Sequence, residues 1–168
     1  ADSSDTHTYS FVSGTGDTDN SIFTIDGSSL KIKSSPDYET KSSYSIRLQT
    51  TDSGGASLVK VFTTSVKDLN ETPTALSLSA SSFNENIAAA STVATLSTTD
   101  ADSSDSHTYR LISGDGDDDN SYFSISDNSL KINITPDYET KNLYKIRLQT
   151  EDASGETFAK ALLIEVKN

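Results

Sequence analysis

The chain of 168 residues carries 25 acidic side chains against 13 basic ones, for a formal net charge of minus 12, and it contains no cysteine, methionine or tryptophan. That balance argues against nucleic acid and anionic membrane surfaces as partners and favours cations. The missing cysteines exclude disulfide staples, thiolate metal sites and a cysteine nucleophile, and no apolar run reaches the ~20 residues of a membrane-spanning helix.

Residues 1 to 68 recur as residues 101 to 168 without a gap, and more than half of the aligned pairs are identical. Ala1-Asp2-Ser3-Ser4-Asp5 returns as Ala101-Asp102-Ser103-Ser104-Asp105, and Pro36-Asp37-Tyr38-Glu39-Thr40-Lys41 as Pro136-Asp137-Tyr138-Glu139-Thr140-Lys141. A period this long is that of a domain, and an array of like domains points to a spacer, stalk or adhesive module. The first copy spans 1–68, a linker 69–73, and the second copy 74–168.

Taken along the chain, apolar residues alternate with polar ones at a period of two, which is a strand pattern. Domain 1 shows it from Tyr9 onward. In domain 2 the alternation and the Gly, Asn and Asp turns predict strands near 75–80, 92–98, 107–113, 121–126, 129–134, 143–151 and 157–167. Seven strands in a unit of this size is the count of an immunoglobulin-like β-sandwich. The expected inward set is Val93, Leu96, Tyr109, Leu111, Phe123, Ile125, Leu130, Ile132, Tyr144, Ile146, Leu148, Leu162, Ile164 and Val166. Domain 1 lacks counterparts of the first two strands and of residues 72 to 100 generally. It is therefore expected to be unstable by itself and to continue upstream of Ala1 in the natural molecule.

The acids fall in a pattern that turns alone do not require. Asp68-Leu69-Asn70-Glu71-Thr72-Pro73 joins the copies, and Asp37 lies one residue from Glu39 in a loop. Asp100-Ala101-Asp102 follows the second strand of domain 2, Asp152 follows Gln149-Thr150, and Glu85 follows the first strand. Carboxylates one residue apart can converge on a hard cation, and without one they repel. Asp115-Gly116-Asp117-Asp118-Asp119-Asn120 opens like an EF-hand loop, but Ser126 stands where the closing Glu belongs, so it reads as a solvated turn. His7 and His107 read as surface residues, and Lys41 and Lys141 as charge balance for the acids beside them. No Gly-x-Ser-x-Gly or nucleophile, base and acid set occurs, so no enzyme activity is expected.

These motifs together resemble bacterial cadherin-like repeats. Residues 68–73 look like the cadherin linker Asp-x-Asn-Asp-Asn-x-Pro, with Glu71 for the second Asp and one residue fewer before Pro73. Pro136-Asp137-Tyr138-Glu139 looks like the Leu-Asp-Arg-Glu motif, Asp100-Ala101-Asp102 like Asp-x-Asp, Asp152-Ala153-Ser154-Gly155 like the later Asp-x-x-Gly loop, and Asn84-Glu85-Asn86 like Pro-Glu-Asn. The resemblance implies all-β, tandem cadherin-type sandwiches, the first lacking its N-terminal two strands, with Ca2+ between successive domains. It implies Asp37 and Glu39 as lower-domain ligands, Asp68, Asn70 and Glu71 from the linker, and Asp100, Asp102 and Asp152 as upper-domain ligands. Glu85, Asp137 and Glu139 would await a further domain, and Asp2 with Asp52 a preceding one, so these end clusters are expected to be half-sites with weak or no metal. The implied role is a calcium-stiffened extracellular module of a cell-surface or secreted adhesin or stalk. Its partners would be neighbouring repeats, with other copies or polysaccharide as further candidates. A carbohydrate-binding module, using Tyr38, Tyr122 and Tyr138, or a self-assembling filament subunit remain the alternatives.

Overall fold

The computed structural model describes residues 6–168. The chain divides into two compact units, Ala1–Leu69 and Asn70–Asn168, and it is all-β, with two short 3-10 turns and no α-helix among the described residues.

Unit 2 is built on the longest alternating stretches. In β12 (Leu143–Glu151) burial switches residue by residue, so Tyr144, Ile146, Leu148 and Thr150 all turn inward. β12 pairs antiparallel with β13 (Thr157–Lys167) on one side and with β9 (Thr108–Leu111) on the other. The short β7 (Ser82–Asn84) adds in parallel to the end of β13, completing the four-stranded order β7-β13-β12-β9. The facing sheet has the order β10-β11-β8-β6, from β10 (Phe123–Ser126), β11 (Ser129–Ile132), β8 (Thr92–Thr99) and β6 (Ala75–Leu78).

Between the sheets lie Leu76, Phe83, Leu96, Phe123, Leu130, Ile132, Tyr144, Ile146, Leu148, Ile164 and Val166. A fully buried side chain of this kind contributes about 1.5–3 kcal/mol relative to leaving it in water. Tyr144 is the aromatic hub. Phe123 and Tyr122 meet its ring edge-on, both at 5.4 Å between centroids, Phe83 stacks at 6.3 Å, and Lys141 Nζ lies 5.2 Å from its centre. Thr150 is buried without penalty, since its Oγ1 shares a 2.7 Å hydrogen bond with Thr98 Oγ1.

This is the expected sandwich, with an eighth strand in unit 2 among the described residues. β7 is three residues long, too short for a period of two to register. On β8 the buried residues are Ala94 and Leu96, whereas Val93 is only partly covered. Positions 93 and 96 differ by an odd number and cannot share one face of a strand.

Unit 1 comprises β1 (His7–Phe11), β2 (Phe23–Asp26), β3 (Ser29–Ile32), β4 (Ser43–Asp52) and β5 (Ser57–Ser65). They form a sheet β1-β4-β5 and a hairpin β2-β3. The hairpin registers match residue for residue, Phe23 opposite Ile32 as Phe123 opposite Ile132. Its two-residue turn needs a positive φ, which Gly27 supplies at 59° and Asp127 adopts at 55°. The buried apolar set is smaller, namely Phe23, Tyr44 and Ile46.

The acidic turn before each 3-10 segment is not simply solvated, as its composition suggested. Asp119 is buried: Oδ2 accepts a hydrogen bond from Lys145 N at 2.8 Å and Oδ1 faces Lys141 Nζ at 3.0 Å. Asp19 repeats this with Ser45 N and with Lys41 Nζ at 2.6 Å, and that lysine holds the Asp19 carboxyl below its usual range. Lys41 and Lys141 thus pair with these buried aspartates. Gly116, at φ 93°, lets the same turn lie against β13, since a Cβ there would come within 2.5 Å of Ala161 Cβ.

Leu130 has no exposure, while Leu30 is 42% exposed. Leu130→Ala is therefore expected to lower the unfolding free energy of unit 2 by about 2–5 kcal/mol, and Leu30→Ala to cost under about 1 kcal/mol. Denaturant midpoints at an unchanged slope measure both, and equal costs would contradict the burial difference.

Candidate metal centre

The strand β12 carries an acid cluster beyond each of its ends. Its nine residues separate the two by roughly 30 Å at the rise of a strand.

Before β12, the loop 136–142 turns on Asp137. Its Oδ1 accepts hydrogen bonds from Glu139 N at 3.0 Å and Thr140 N at 3.3 Å, and its Oδ2 accepts one from Thr140 Oγ1 at 2.8 Å. The Thr140 hydroxyl, followed by these backbone donors, holds the Asp137 carboxyl below its usual range. Asn86, at φ 59°, donates its backbone N–H to Pro136 O at 2.9 Å, which draws the exit of β7 to this loop. Glu85 then accepts a hydrogen bond from Tyr138 N on Oε2 at 3.2 Å. One carboxylate oxygen from each of Glu85, Asp137 and Glu139 lies within 4.8 Å of the others. Among the described residues no lysine or arginine pairs with these three, although Asn168 Nδ2 donates to Glu139 Oε1 at 3.1 Å.

After β12, Asp152 closes the turn into β13. Its Oδ1 accepts hydrogen bonds from Ser154 N at 2.8 Å and Glu156 N at 2.9 Å, and its Oδ2 accepts one from Asn70 Nδ2 at 3.0 Å. The Asn70 amide, and after it these backbone donors acting against burial, holds the Asp152 carboxyl below its usual range. Glu71 N donates to Asp102 Oδ2 at 2.8 Å, and Asp102 N to Asp100 Oδ1 at 3.3 Å. The expected residues Asn70, Glu71, Asp100, Asp102 and Asp152 therefore gather at one end of unit 2.

Two residues at this end were not expected there. His107 is half-buried, with Nε2 3.0 Å from Asp100 Oδ2, and is not the plain surface residue its isolation suggested. Asp105 donates its backbone N–H to Asp102 O at 3.0 Å, and its Oδ2 is buried without a hydrogen-bond partner. Burial, and then the charges of Asp102, Asp152 and Asp100, push the Asp105 carboxyl up against the opposing pull of His107. The available signal was the recurrence of Asp5 and His7 as Asp105 and His107.

In unit 1, Asp37 repeats the turn of Asp137, accepting from Glu39 N at 3.0 Å, Thr40 N at 3.2 Å and Thr40 Oγ1 at 2.7 Å, with its carboxyl lowered by the same hydroxyl. Glu39 and Asp68 are exposed. Asp52 accepts a hydrogen bond from Ala56 N at 2.8 Å, while Asp2 lies outside the described residues. No counterpart of Glu85 occurs among the described residues of unit 1.

The donors at both ends of unit 2 are almost wholly oxygen, and at Asp105 one buried carboxylate oxygen is orphaned. That chemistry fits a hard ion such as calcium, which takes six to eight oxygens at ~2.3–2.6 Å.

No protein-family model matches the chain, and no curated protein matches its sequence. Solved structures do match. Human protocadherin-24 EC1-2 aligns at a TM-score of 0.71 and 19% identity, over 96% of this chain and 81% of that one. The fold is cadherin-like. Protocadherin gamma B2 extracellular cadherin domains 3-6 align at a TM-score of 0.68 and 20% identity, over 96% of this chain. Human mucin-like protocadherin EC1-2 aligns at 0.60 and 22%, over 98% of this chain and 85% of that one. The chain spans 40% of the length of the gamma B2 fragment. In this cadherin-like frame, unit 2 carries acids beyond both ends of the nine-residue strand β12.

Asp137 and Asp152 sit below the ordinary carboxylate value of 3.8 when folded. Each contributes stability that is present above that value and is lost as the pH falls through the folded pKa. Asp105, raised when folded, has the opposite sign: it costs stability at neutral pH, and the cost is relieved as its carboxyl protonates. In chelator, the melting temperature of unit 2 is expected to fall below about pH 4. Asp152→Asn should shorten that fall, and Asp105→Asn should raise the melting temperature at neutral pH. Calorimetric melts across pH check both, and parallel curves for variant and parent would contradict the assignment.

Proposed function

We propose that the chain is a calcium-binding, adhesion-type extracellular module of a bacterial cell-surface or secreted protein, with a mechanical and adhesive role and no catalytic one. The observation that carries this reading is the convergence of Glu85, Asp137 and Glu139 within 4.8 Å in a cadherin-like unit, at an end cluster expected from the sequence to hold metal only weakly by itself. Three carboxylates this close repel one another in the absence of a cation, and the loops that hold them are fixed by backbone hydrogen bonds rather than by basic side chains. The tandem-repeat pattern of the sequence and the acid-rich stretch 68–73 support a chain of such modules in which bound calcium stiffens the linkers.

The roles then follow from chemistry. Thr140 and the N–H groups of Glu139 and Tyr138 orient Asp137 and Glu85, and Glu139 supplies the third charge. At the far end, Asp100, Asp102, Asp105 and Asp152 offer carboxylates, and Asn70 orients Asp152. Bound calcium would supply positive charge to both clusters. A sugar-binding face of tyrosines has less support. Tyr38 and Tyr138 are exposed at 38% and 37%, but Tyr122 packs edge-on against Tyr144.

Calcium titration by calorimetry, paired with melts in calcium and in chelator, tests the proposal. Free calcium at a hundred times its dissociation constant is expected to stabilise the binding unit by about 2.7 kcal/mol. Asp137→Asn with Glu139→Gln should remove the calcium-dependent gain of one site and also lower the melt in chelator, because the Asp137 carboxylate holds its loop. Small-angle scattering is expected to show a more extended, less flexible particle in calcium. A chain whose melts and scattering are the same in both buffers would overturn the reading and leave the acids as a solvated surface.

A further inference from the structure

We propose that unit 2 carries a binding pocket for a neutral hexose unit of a polysaccharide, at the seam where its two sheets end. β9 and β10 are the last strands of their sheets and lie against each other along one side of the sandwich. A cavity of about 420 Å³ opens there, lined by His107, Thr108, Tyr109, Ile125, Asp127 and Asn128. Its size falls within the ~300–1,000 Å³ of ligand pockets. It is built wholly within unit 2, both of whose sheets have four strands.

The lining is part apolar and part polar. Tyr109 and Ile125 are half-buried against the edge of the core, and the tyrosine is held in place because Thr98 Oγ1 donates to Tyr109 Oη at 3.1 Å. The polar part is unused by the fold. The side chains of Thr108, Asp127 and Asn128 make no hydrogen bond or ion pair with any described residue, and His107 commits only Nε2, to Asp100. The turn that carries the last two residues is anchored through its backbone, with Leu96 N donating to Asn128 O at 2.7 Å.

That turn does not need these side chains. Unit 1 makes the same hairpin with Gly27 at φ 59° and Ser28, where unit 2 has Asp127 at φ 55° and Asn128. Glycine takes this conformation freely, whereas an aspartate is held there at a cost. The other four lining residues recur as His7, Thr8, Tyr9 and Ile25. At this place the copies therefore differ in a carboxylate and a carboxamide for which the fold has no use.

A pyranose suits such a set. Its C–H face can lie on the tyrosine and isoleucine, while its hydroxyls donate to Asp127 and exchange hydrogen bonds with Asn128 and Thr108. An apolar ligand would leave the carboxylate and amide unpaired. An anionic one would meet Asp127, with Asp100 and Asp105 beside His107, in a chain of net charge minus 12. The pocket uses none of Tyr38, Tyr122 and Tyr138, and it goes beyond the calcium reading without resting on it.

The test titrates the full chain with the methyl glycosides of glucose, galactose, mannose and N-acetylglucosamine, following backbone amides by NMR in calcium and in chelator. Glucuronic acid and glucosamine serve as charged controls. At least one neutral glycoside is expected to bind with a Kd of about 1–10 mM, moving the amides of 107–109 and 125–128 but not those of 7–9 and 25–28. Asp127→Gly with Asn128→Ser, the turn residues of unit 1, should weaken binding at least about tenfold and leave the amides of the other strands where they were. No shift with any neutral glycoside at about 50 mM, equal binding by that variant, or shifts centred on Tyr38 or Tyr138 would each overturn the proposal. So would tightest binding by glucuronic acid, or binding by glucosamine alone, which would make this a pocket for cations. Calcium-dependent melts are read separately, so either proposal can fail alone.

Discussion

Tyr144, Ile146, Leu148 and Thr150 turn the same way from β12 because side chains alternate along a strand, and this row needs a facing sheet to be dry. The facing sheet can approach only if its own inward residues interdigitate with that row. Leu96 of β8, Leu130 and Ile132 of β11 and Phe123 of β10 do so. The row also fixes where the strand must stop. Loop 136–142 has to deliver the chain to Tyr144, and the turn at Asp152 has to return it into β13. The acid clusters are thus placed by the core, one at each end of a buried strand.

Electrostatics divides these acids by local partner. Asp19 and Asp119 are buried but paired with lysines that also lie over a tyrosine ring, so their charge is matched inside the unit. Asp137 and Asp152 are stabilised as anions by hydroxyl, amide and backbone donors, which lower a carboxyl without cancelling its charge. Asp105 has neither kind of help at Oδ2. The first pair is matched by lysines within its own unit, whereas Asp137 and Asp152 are held by hydrogen bonds without a lysine or arginine ion pair among the described residues.

The sandwich was legible because period two is a strong signal wherever both sheets bury one face. Tyr144, Ile146 and Leu148 were readable from their spacing alone. β7 was not, because three residues cannot display a period, and its partner lies more than eighty residues away along the chain. Asp137 and Glu139 were readable as a pair from their spacing, whereas Glu85 joined them only through the family resemblance. Their meeting depends on Asn86 and its positive φ, which no composition rule foretells. Asp119 was misread for a related reason. A run of Asp and Gly looks solvated until the backbone N–H of Lys145, twenty-six residues on, is seen to require an acceptor there.

The parallel pairing of β7 with β13 has a consequence under load. Ser82, Phe83 and Asn84 lie beside Glu165, Val166 and Lys167, with further hydrogen bonds from Glu165 N to Ser81 O and from Glu85 N to Lys167 O. Tension applied through residues 70 and 168 draws these two strands in opposite directions along their common axis. The bonds between them are then sheared together, not peeled one after another as in a hairpin pulled from its open end. Phe83, wedged against Tyr144 behind this clamp, would have to leave the core before the strands could slide. A strand of three residues thus sets a shear-loaded contact in the path of the force, in series with the pairing of β6 to β8.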